Sequence, residues 1–302
     1  MIKLQQVSKI YEANHTQVQA LESLDLTLNQ TGFLCIVGPS GCGKTTLLNL
    51  LGGLDTPISG TITIQGKDSK TFTEKEWCTY RNQHIGFVFQ NSFLIPHLSV
   101  LDNVMLPLSL SGKSKEESQA LAINSIEHMG IKDKTHVKPR ELSGGQQQKV
   151  AISRALINAP HIILADEPTG SLDEASAIEI MEILKEISQT KLVILVTHQH
   201  HLAQRYADRI ISMHQGRVVS DVEMSKVKPS VIKENNVHQQ SYMSKKTSWM
   251  LSCMNLLQRK YRSMLMVIAA SLGVIGMLLV LAVSYGFHQF LDVKKSETLY
   301  AF

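Results

Sequence analysis

Gly38-Pro39-Ser40-Gly41-Cys42-Gly43-Lys44-Thr45 fits the pattern G-x-x-x-x-G-K-[ST], and its reading decides the fold of this chain. The stretch follows an apolar run, Phe33 to Val37, and precedes a helical run, Thr46 to Leu51, so it sits between a predicted strand and a predicted helix. Glycines let successive backbone N–H groups converge on one concavity, and the helix N-terminus adds the positive end of its dipole. In such a loop Lys44 meets the β and γ phosphates of a nucleotide and Thr45 ligates Mg²⁺. The expected binding run is therefore Gly38 to Thr46, taking in Pro39, Ser40, Gly41, Cys42, Gly43 and Thr46. Cys42 is expected to act there by packing, although a helix N-terminus can also lower a thiol pKa.

Outward from the loop, apolar runs rich in Val, Ile and Leu alternate with helical patterns over residues 1–222. That alternation predicts an α/β domain with a largely parallel sheet. Strands are expected at 33–37, 85–89, 162–166 and 192–196. Helices are expected at 115–129, with Leu121, Ala122, Ile126 and Met129 on one face, and at 174–188, where Ile178, Met181, Ile183, Leu184 and Ile187 recur. The strand Ile162-Ile163-Leu164-Ala165-Asp166 is followed by Glu167. Strand alternation is expected to send the two carboxylates in different directions, Asp166 toward Mg²⁺ and Glu167 toward a water attacking the γ-phosphate.

Between these elements lies Leu142-Ser143-Gly144-Gly145-Gln146. With this pentapeptide added to the loop and the carboxylate strand, residues 1–222 resemble the ATP-binding-cassette (ABC) ATPases, a family of P-loop NTPases. The resemblance implies ATP and Mg²⁺ as ligands. It assigns Tyr11 to stacking on adenine, Gln90 to the metal and nucleotide, Ser143, Gly144, Gly145 and Gln146 to the signature, Ser171-Leu172-Asp173 to the D-loop, and His198, with Glu167, to catalysis. Tyr80-Arg81-Asn82, Ile85 to Gln90 and Ala165 to Gly170 resemble the branch of macrolide and antimicrobial-peptide exporters, lipoprotein-release ATPases and the cell-division ATPase. In this family one cassette's signature completes another's site, and Ser143 with the Gly144 and Gly145 amides would form a second anion-binding helix N-terminus. A head-to-tail homodimer holding two ATP molecules is expected. Lys149 stands where the family commonly has Arg and Gln199 where Asp is common; both lie outside the phosphate contacts, so tuning rather than loss is expected.

The chain has 302 residues, 43% hydrophobic and 19% charged, with 30 Lys+Arg against 26 Asp+Glu. Such a chain can bury a core, and the basic residues, scattered except for a cluster near 245–262, make a nucleic-acid partner a weak expectation. Cys35, Cys42, Cys78 and Cys253 form no C-x-x-C pair, so neither zinc nor disulfides are expected. His198, His200 and His201 lack a Cys or carboxylate partner motif of metal-site spacing and give no zinc expectation either. The N-terminus carries no apolar h-region of a signal peptide.

Met264 to Tyr285 runs 22 residues without a charge, about 33 Å as a helix against roughly 30 Å of hydrocarbon. It is expected to cross the membrane once. Lys245, Lys246, Arg259, Lys260 and Arg262 precede it, so the upstream domain is expected on the cytoplasmic side of the cell membrane. The expected organisation is a cassette at 1–222, a polar linker at 223–247, a juxtamembrane segment at 248–263, the membrane helix at 264–285 and a short extracytoplasmic tail at 286–302. The juxtamembrane segment reads either as an amphipathic helix on the inner leaflet or as an extension of the membrane helix. Ala269, Gly273 and Gly276 make a small-residue face that either packs on another membrane helix or reflects ordinary glycine content.

Family exporters that fuse cassette to permease continue past this helix, so the chain reads as a front portion or as a half working with a separate permease. Phe93, Leu94, Ile95, Pro96 and Leu98, after Gln90, are expected either to face that permease or to pack in the core. Three function classes compete: an exporter ATPase for peptides, macrolide-like or lipid-linked substrates; an ATP-driven machine that transmits force to an extracytoplasmic partner; and a soluble nucleic-acid-associated ATPase. The single cassette and the membrane run argue against the third.

Overall fold

The computed structural model describes residues 2–13, 16–224 and 260–299. The chain divides into two units, Met1–Met243 and Ser244–Phe302. The expected linker beyond residue 224 and most of the expected juxtamembrane segment lie outside the described residues.

In the first unit, a charge-free run of Val, Ile and Leu can be buried on both faces, and that makes it a central strand. β3 (Gly32–Val37) is buried at every position, and so is β8 (Leu192–Thr197). With β6 (Ile85–Phe89), β7 (Ile162–Asp166), β9 (Arg209–His214) and β10 (Arg217–Glu223) they form a six-stranded sheet in the order β10-β9-β3-β8-β7-β6. All neighbours are parallel except the edge pair β9–β10. The four strands expected from sequence are β3, β6, β7 and β8, each within one residue of its expected span. β10 carries one residue past the expected domain end at 222, within the usual uncertainty of an element's end.

A second, antiparallel sheet has the order β2-β1-β4-β5, from β1 (Ile2–Ala13), β2 (Thr16–Leu28), β4 (Ser59–Ile64) and β5 (Lys67–Asp68). Alternation along β3 feeds two cores. Leu34 and Ile36 join Leu4, Leu26 and Ile62 of the antiparallel sheet and Leu47, Leu48 and Leu51 of α1 (Lys44–Leu51). Phe33, Cys35 and Val37 join Ile180, Met181 and Leu184 of α6 (Glu174–Ser188) and Leu202 and Tyr206 of α7 (His200–Tyr206). Truncating one of these fully buried leucines to alanine costs about 2–5 kcal/mol.

Between α1 and β6 the chain forms α2 (Glu74–Gln83), opened by a Thr73/Glu76 capping box. A third cluster lies among α3 (Val100–Leu110), α4 (Lys115–His128) and α5 (Gly144–Leu156), built on Val100, Val104, Ala122, Ile126 and Val150. On α4 the expected face is only partly correct, because Leu121 is exposed while Ala122 and Ile126 are buried. Adjacent helix positions point about 100° apart, and Ala122 takes the core side.

In the second unit, α8 (Lys260–Leu299) is one continuous helix of 40 residues. Its apolar stretch Ile268–His288 has a mean hydropathy of 2.2 and is long enough to cross a membrane. The boundaries expected at 263/264 and 285/286 both fall inside this helix. Apolarity delimits the stretch, whereas the residues after it, rich in Leu, Lys, Glu and Gln, remain helix formers.

Candidate functional site

Parallel pairing brings four strand ends to one edge. β3, β8, β7 and β6 are neighbours in that order, with Val37 beside Thr197, Val196 beside Asp166, and Asp166 beside Phe89. The next residues are Gly38 after β3, His198 after β8, Glu167 after β7 and Gln90 after β6. Open α/β sheets bind ligands beyond the carboxyl ends of their strands, and that is the edge loaded here.

The 38–45 loop turns back tightly between β3 and α1. Gly43 caps α1 at φ 100°, and a Cβ there would come within 2.2 Å of the Ala20 carbonyl oxygen. At Gly38 a Cβ would come within 2.3 Å of the Met213 carbonyl oxygen. Lys44 is buried, and its Nζ donates to the carbonyl oxygens of Gly38 at 2.9 Å and Pro39 at 2.8 Å. The Cys42 thiol is buried too, with its Sγ 3.8 Å from that Nζ.

Asp166 closes β7 half-buried, hydrogen-bonded by the Thr45 side chain. Burial raises its carboxyl above the ordinary range; the Thr45 bond and the charge of Lys44 oppose that rise, while Glu167 adds to it. Its partner carboxylate departs from the simple alternation expected. Glu167 lies outside the strand at φ 47°, its N–H donating to Val196 O at 2.9 Å and its own carbonyl accepting from Gly170 N–H at 3.0 Å. A left-handed turn therefore, rather than the pleat, separates the two carboxylates. Oε1 of Glu167 lies 3.1 Å from Nδ1 of His198, whose ring is exposed. A non-glycine residue held in this region costs of order 1–3 kcal/mol, and such strain concentrates at functional sites.

Gln90 is exposed at the end of β6, and its Nε2 lies close enough to Gly170 that a Cβ there would sit 2.9 Å away. Two residues that the sequence left unremarked brace this segment from α5. Gln148 Nε2 donates to Phe89 O at 3.0 Å, and Arg154 donates to Ser92 O at 2.7 Å and Phe93 O at 2.8 Å. Of the apolar residues expected in a patch, Phe93 and Pro96 are exposed, while Leu94 packs on the α3–α5 cluster.

The 142–146 stretch opens α5. Ser143 and Gln146 form a capping box, Gln146 N–H donating to Ser143 Oγ at 3.3 Å and Ser143 N–H to Gln146 Oε1 at 3.0 Å. A Cβ on Gly144 or Gly145 would meet Leu172 or Ser176, so this helix start packs on the segment after β7. There Asp173 caps α6 through Ser176 N–H. Among the described residues, no hydrogen bond joins 143–146 to the 38–46 loop. Tyr11 lies on β1, 39% exposed, and its phenol donates to Asp55 Oδ2 at 2.7 Å. Lys149, at a position where the resemblance leads one to expect Arg, pairs with Glu179 at 2.6 Å.

The described residues hold no group of three or more His, Cys, Asp or Glu side chains fit to bind a metal. At the loaded edge Thr45, Asp166 and Gln90 offer a hydroxyl, a carboxylate and an amide, beside Glu167 and His198, and such hard oxygen donors are of the kind Mg²⁺ shares with nucleotide phosphates.

Residues 21–170 match the family described as ABC transporter. The lipoprotein-releasing system ATP-binding protein LolD of Legionella pneumophila (strain Paris) is 43% identical over 214 residues, 70% of this chain and 94% of that protein. The macrolide export ATP-binding/permease protein MacB of Mannheimia succiniciproducens is 34% identical over 293 residues, 96% of this chain but 45% of that protein. The dimeric cassette MJ0796, solved in a post-hydrolysis state with ADP and Pi, superposes with a TM-score of 0.69 at 38% identity, covering 75% of this chain and all of that one. The sheet edge, the loop geometry and these relatives agree: the chain belongs to the ABC transporter family and carries its ATPase cassette.

Proposed function

We propose that this chain hydrolyses ATP to drive export of a peptide, macrolide-like or lipid-linked substrate through a permease, anchored in the cell membrane by one crossing of α8 with the cassette on the cytoplasmic side. The observation that carries the reading is the convergence of Gly38–Thr46, Asp166-Glu167, His198 and Gln90 on four adjacent strand ends. Alignment with an ATP-binding/permease protein along 96% of the chain supports the link between cassette and membrane helix.

In this reading the N–H groups of the 38–46 loop and the dipole of α1 bind the phosphates, and the Lys44 ammonium leaves its two carbonyl partners to reach the β and γ oxygens. Thr45, Asp166 and Gln90 would hold Mg²⁺, which supplies charge neutralisation on the phosphates. Glu167 accepts the proton of the attacking water. His198 orients that carboxylate by donating from Nδ1–H to Oε1. A second copy of the chain supplies Ser143 to Gln146 from the far side, where the α5 N-terminus adds a second set of N–H donors. The solved dimers of a related cassette support pairing of two copies.

The test reconstitutes the purified chain in liposomes with a candidate permease and measures ATP-dependent efflux of peptides and macrolides. Efflux that requires both the permease and intact Glu167 is expected. Hydrolysis stimulated by a permease that moves none of these substrates would favour force transmission over export.

A further inference from the structure

We propose that Asp55, braced by Lys9, is a positioning residue that fixes the Tyr11 ring as a platform for the base of the nucleotide. This rests on the reading of Tyr11 as the base-stacking residue and adds what makes an exposed tyrosine on a strand serve that purpose.

Tyr11 lies on the hairpin of β1 and β2, where an exposed aromatic ring ordinarily samples several rotamers. Here its far end is held. The phenol donates to Asp55 Oδ2 at 2.7 Å and also hydrogen-bonds the Thr46 side chain in the first turn of α1. Asp55 is itself fixed, because its Oδ1 accepts from Lys9 Nζ at 2.5 Å and from Thr56 N–H at 2.7 Å. Lys9 Nζ donates in addition to Thr56 O at 2.8 Å and lies 5.1 Å from the centre of the Tyr11 ring.

An exposed ion pair would contribute little, but the Lys9 side chain is only 11% exposed. A lysine buried to that degree requires its carboxylate partner, which makes the pair an obligatory local structure. The ammonium covers one face of the ring and leaves the opposite face for a base. The Thr46 bond ties the platform to the helix whose N-terminus belongs to the phosphate loop, so the spacing between base and phosphates is set within one rigid unit. Lys9 and Asp55 are 46 residues apart in sequence, and neither belongs to the motifs that mark the nucleotide site.

The experiment measures affinity of the full chain for ADP and for pyrophosphate by calorimetry. Both ligands fit the phosphate loop, and only ADP carries a base. Stacking of a base on an aromatic side chain is commonly worth on the order of tenfold or more in affinity, so Tyr11→Ala is expected to weaken ADP by about that factor and to leave pyrophosphate within about twofold. Asp55→Ala and Tyr11→Phe are each expected to weaken ADP by about three- to tenfold, again sparing pyrophosphate. Adding Asp55→Ala to Tyr11→Ala is expected to change nothing further, because the residue acts through the ring.

Equal weakening of ADP by Asp55→Ala with and without Tyr11, or a matching loss of pyrophosphate, would overturn the positioning role and leave stacking intact. Unchanged ADP affinity in Tyr11→Ala would remove the stacking reading and this inference with it. Should Asp55→Ala fail to fold, Tyr11→Phe still decides, since it deletes only the hydroxyl of an exposed ring; wild-type ADP affinity in that variant overturns the proposal.

Discussion

Oε1 of Glu167 and Nδ1 of His198 lie 3.1 Å apart at the ends of adjacent parallel strands, joined at the backbone by Glu167 N–H donating to Val196 O. The carboxylate is thus fixed at both its main chain and its head. Glu167→Gln keeps the shape and deletes the proposed base, so steady-state phosphate release is expected to fall about 10²- to 10⁴-fold while ATP binding survives. His198→Ala is expected to lower release as well, and the double variant to lose little beyond Glu167→Gln alone. Near-normal release by Glu167→Gln would remove that residue from the chemistry.

In the proposed function Lys44 contributes through charge. Its Nζ is already held by the Gly38 and Pro39 carbonyl oxygens, so the ammonium is placed in the loop by the protein itself. Lys44→Ala is expected to abolish measurable ATP binding. Gly43→Ala is expected to fail differently, by lowering the melting temperature, because a Cβ at φ 100° would strike the Ala20 carbonyl oxygen. A Gly43→Ala protein with unchanged melting would contradict the tightness of that approach.

Four of the five parallel strands were legible because Val, Ile and Leu runs buried on both faces leave a continuous apolar signature, as at Ile162 to Ala165 and Leu192 to Val196, whereas β9, only partly buried, was not. The antiparallel sheet was not legible either. Register shifts between Leu4 and Val7, Val7 and Lys9, and Lys9 and Ile10 break the period-two pattern that would have announced β1 and β2. The motif residues proposed for the site stand out in the sequence, and at Gly38 and Gly43 close backbone approach confines the residue type. The supporting residues Lys9, Asp55, Gln148 and Arg154 were hidden, since their partners are distant in sequence and Asp55 followed by Thr56-Pro57 looks like an ordinary turn.

Ser143 caps its own helix in a single chain, so the nucleotide contact proposed for it requires a second copy. Mixing Lys44→Ala with Ser143→Arg places both lesions in one composite site of the heterodimer and leaves the other intact. ATP-dependent pairing with about one trapped nucleotide per heterodimer is expected, where neither variant alone pairs. The lost cap costs about 1 kcal/mol, and a melting curve of Ser143→Arg separates that loss from the nucleotide effect. Full activity from a proven monomer would contradict the paired arrangement.

Thiol chemistry separates core from surface. Burial pushes the Cys35 thiol up to about 12, the nearby Lys185 opposing and Asp208 adding, whereas Cys78 is exposed on α2. A raised pKa keeps the neutral, unreactive form through pH 8 to 9. Iodoacetamide in that range is expected to alkylate Cys78 and to spare Cys35 until the protein unfolds, read by peptide mass mapping. Comparable labelling of both in the folded protein would overturn the packing of β3.

Phe93 is 64% exposed at φ 44°, and Arg154 holds its carbonyl oxygen and that of Ser92. A large aromatic side chain turned outward beside Gln90, on a backbone clamped from the helix that begins at Ser143, suits a contact that reports nucleotide occupancy to a permease. Phe93→Ala removes the side chain without touching the clamp, so hydrolysis by the chain alone is expected within about twofold of wild type, as for other surface changes. Permease-stimulated hydrolysis is expected to fall about tenfold, the loss typical of a central aromatic contact. Arg154→Ala leaves two carbonyl oxygens without their donor and is expected to speed amide exchange across residues 90–95 and to weaken the permease response with it. Stimulation that survives Phe93→Ala unchanged, measured against the same permease at saturating ATP, would place the permease contact elsewhere on the cassette.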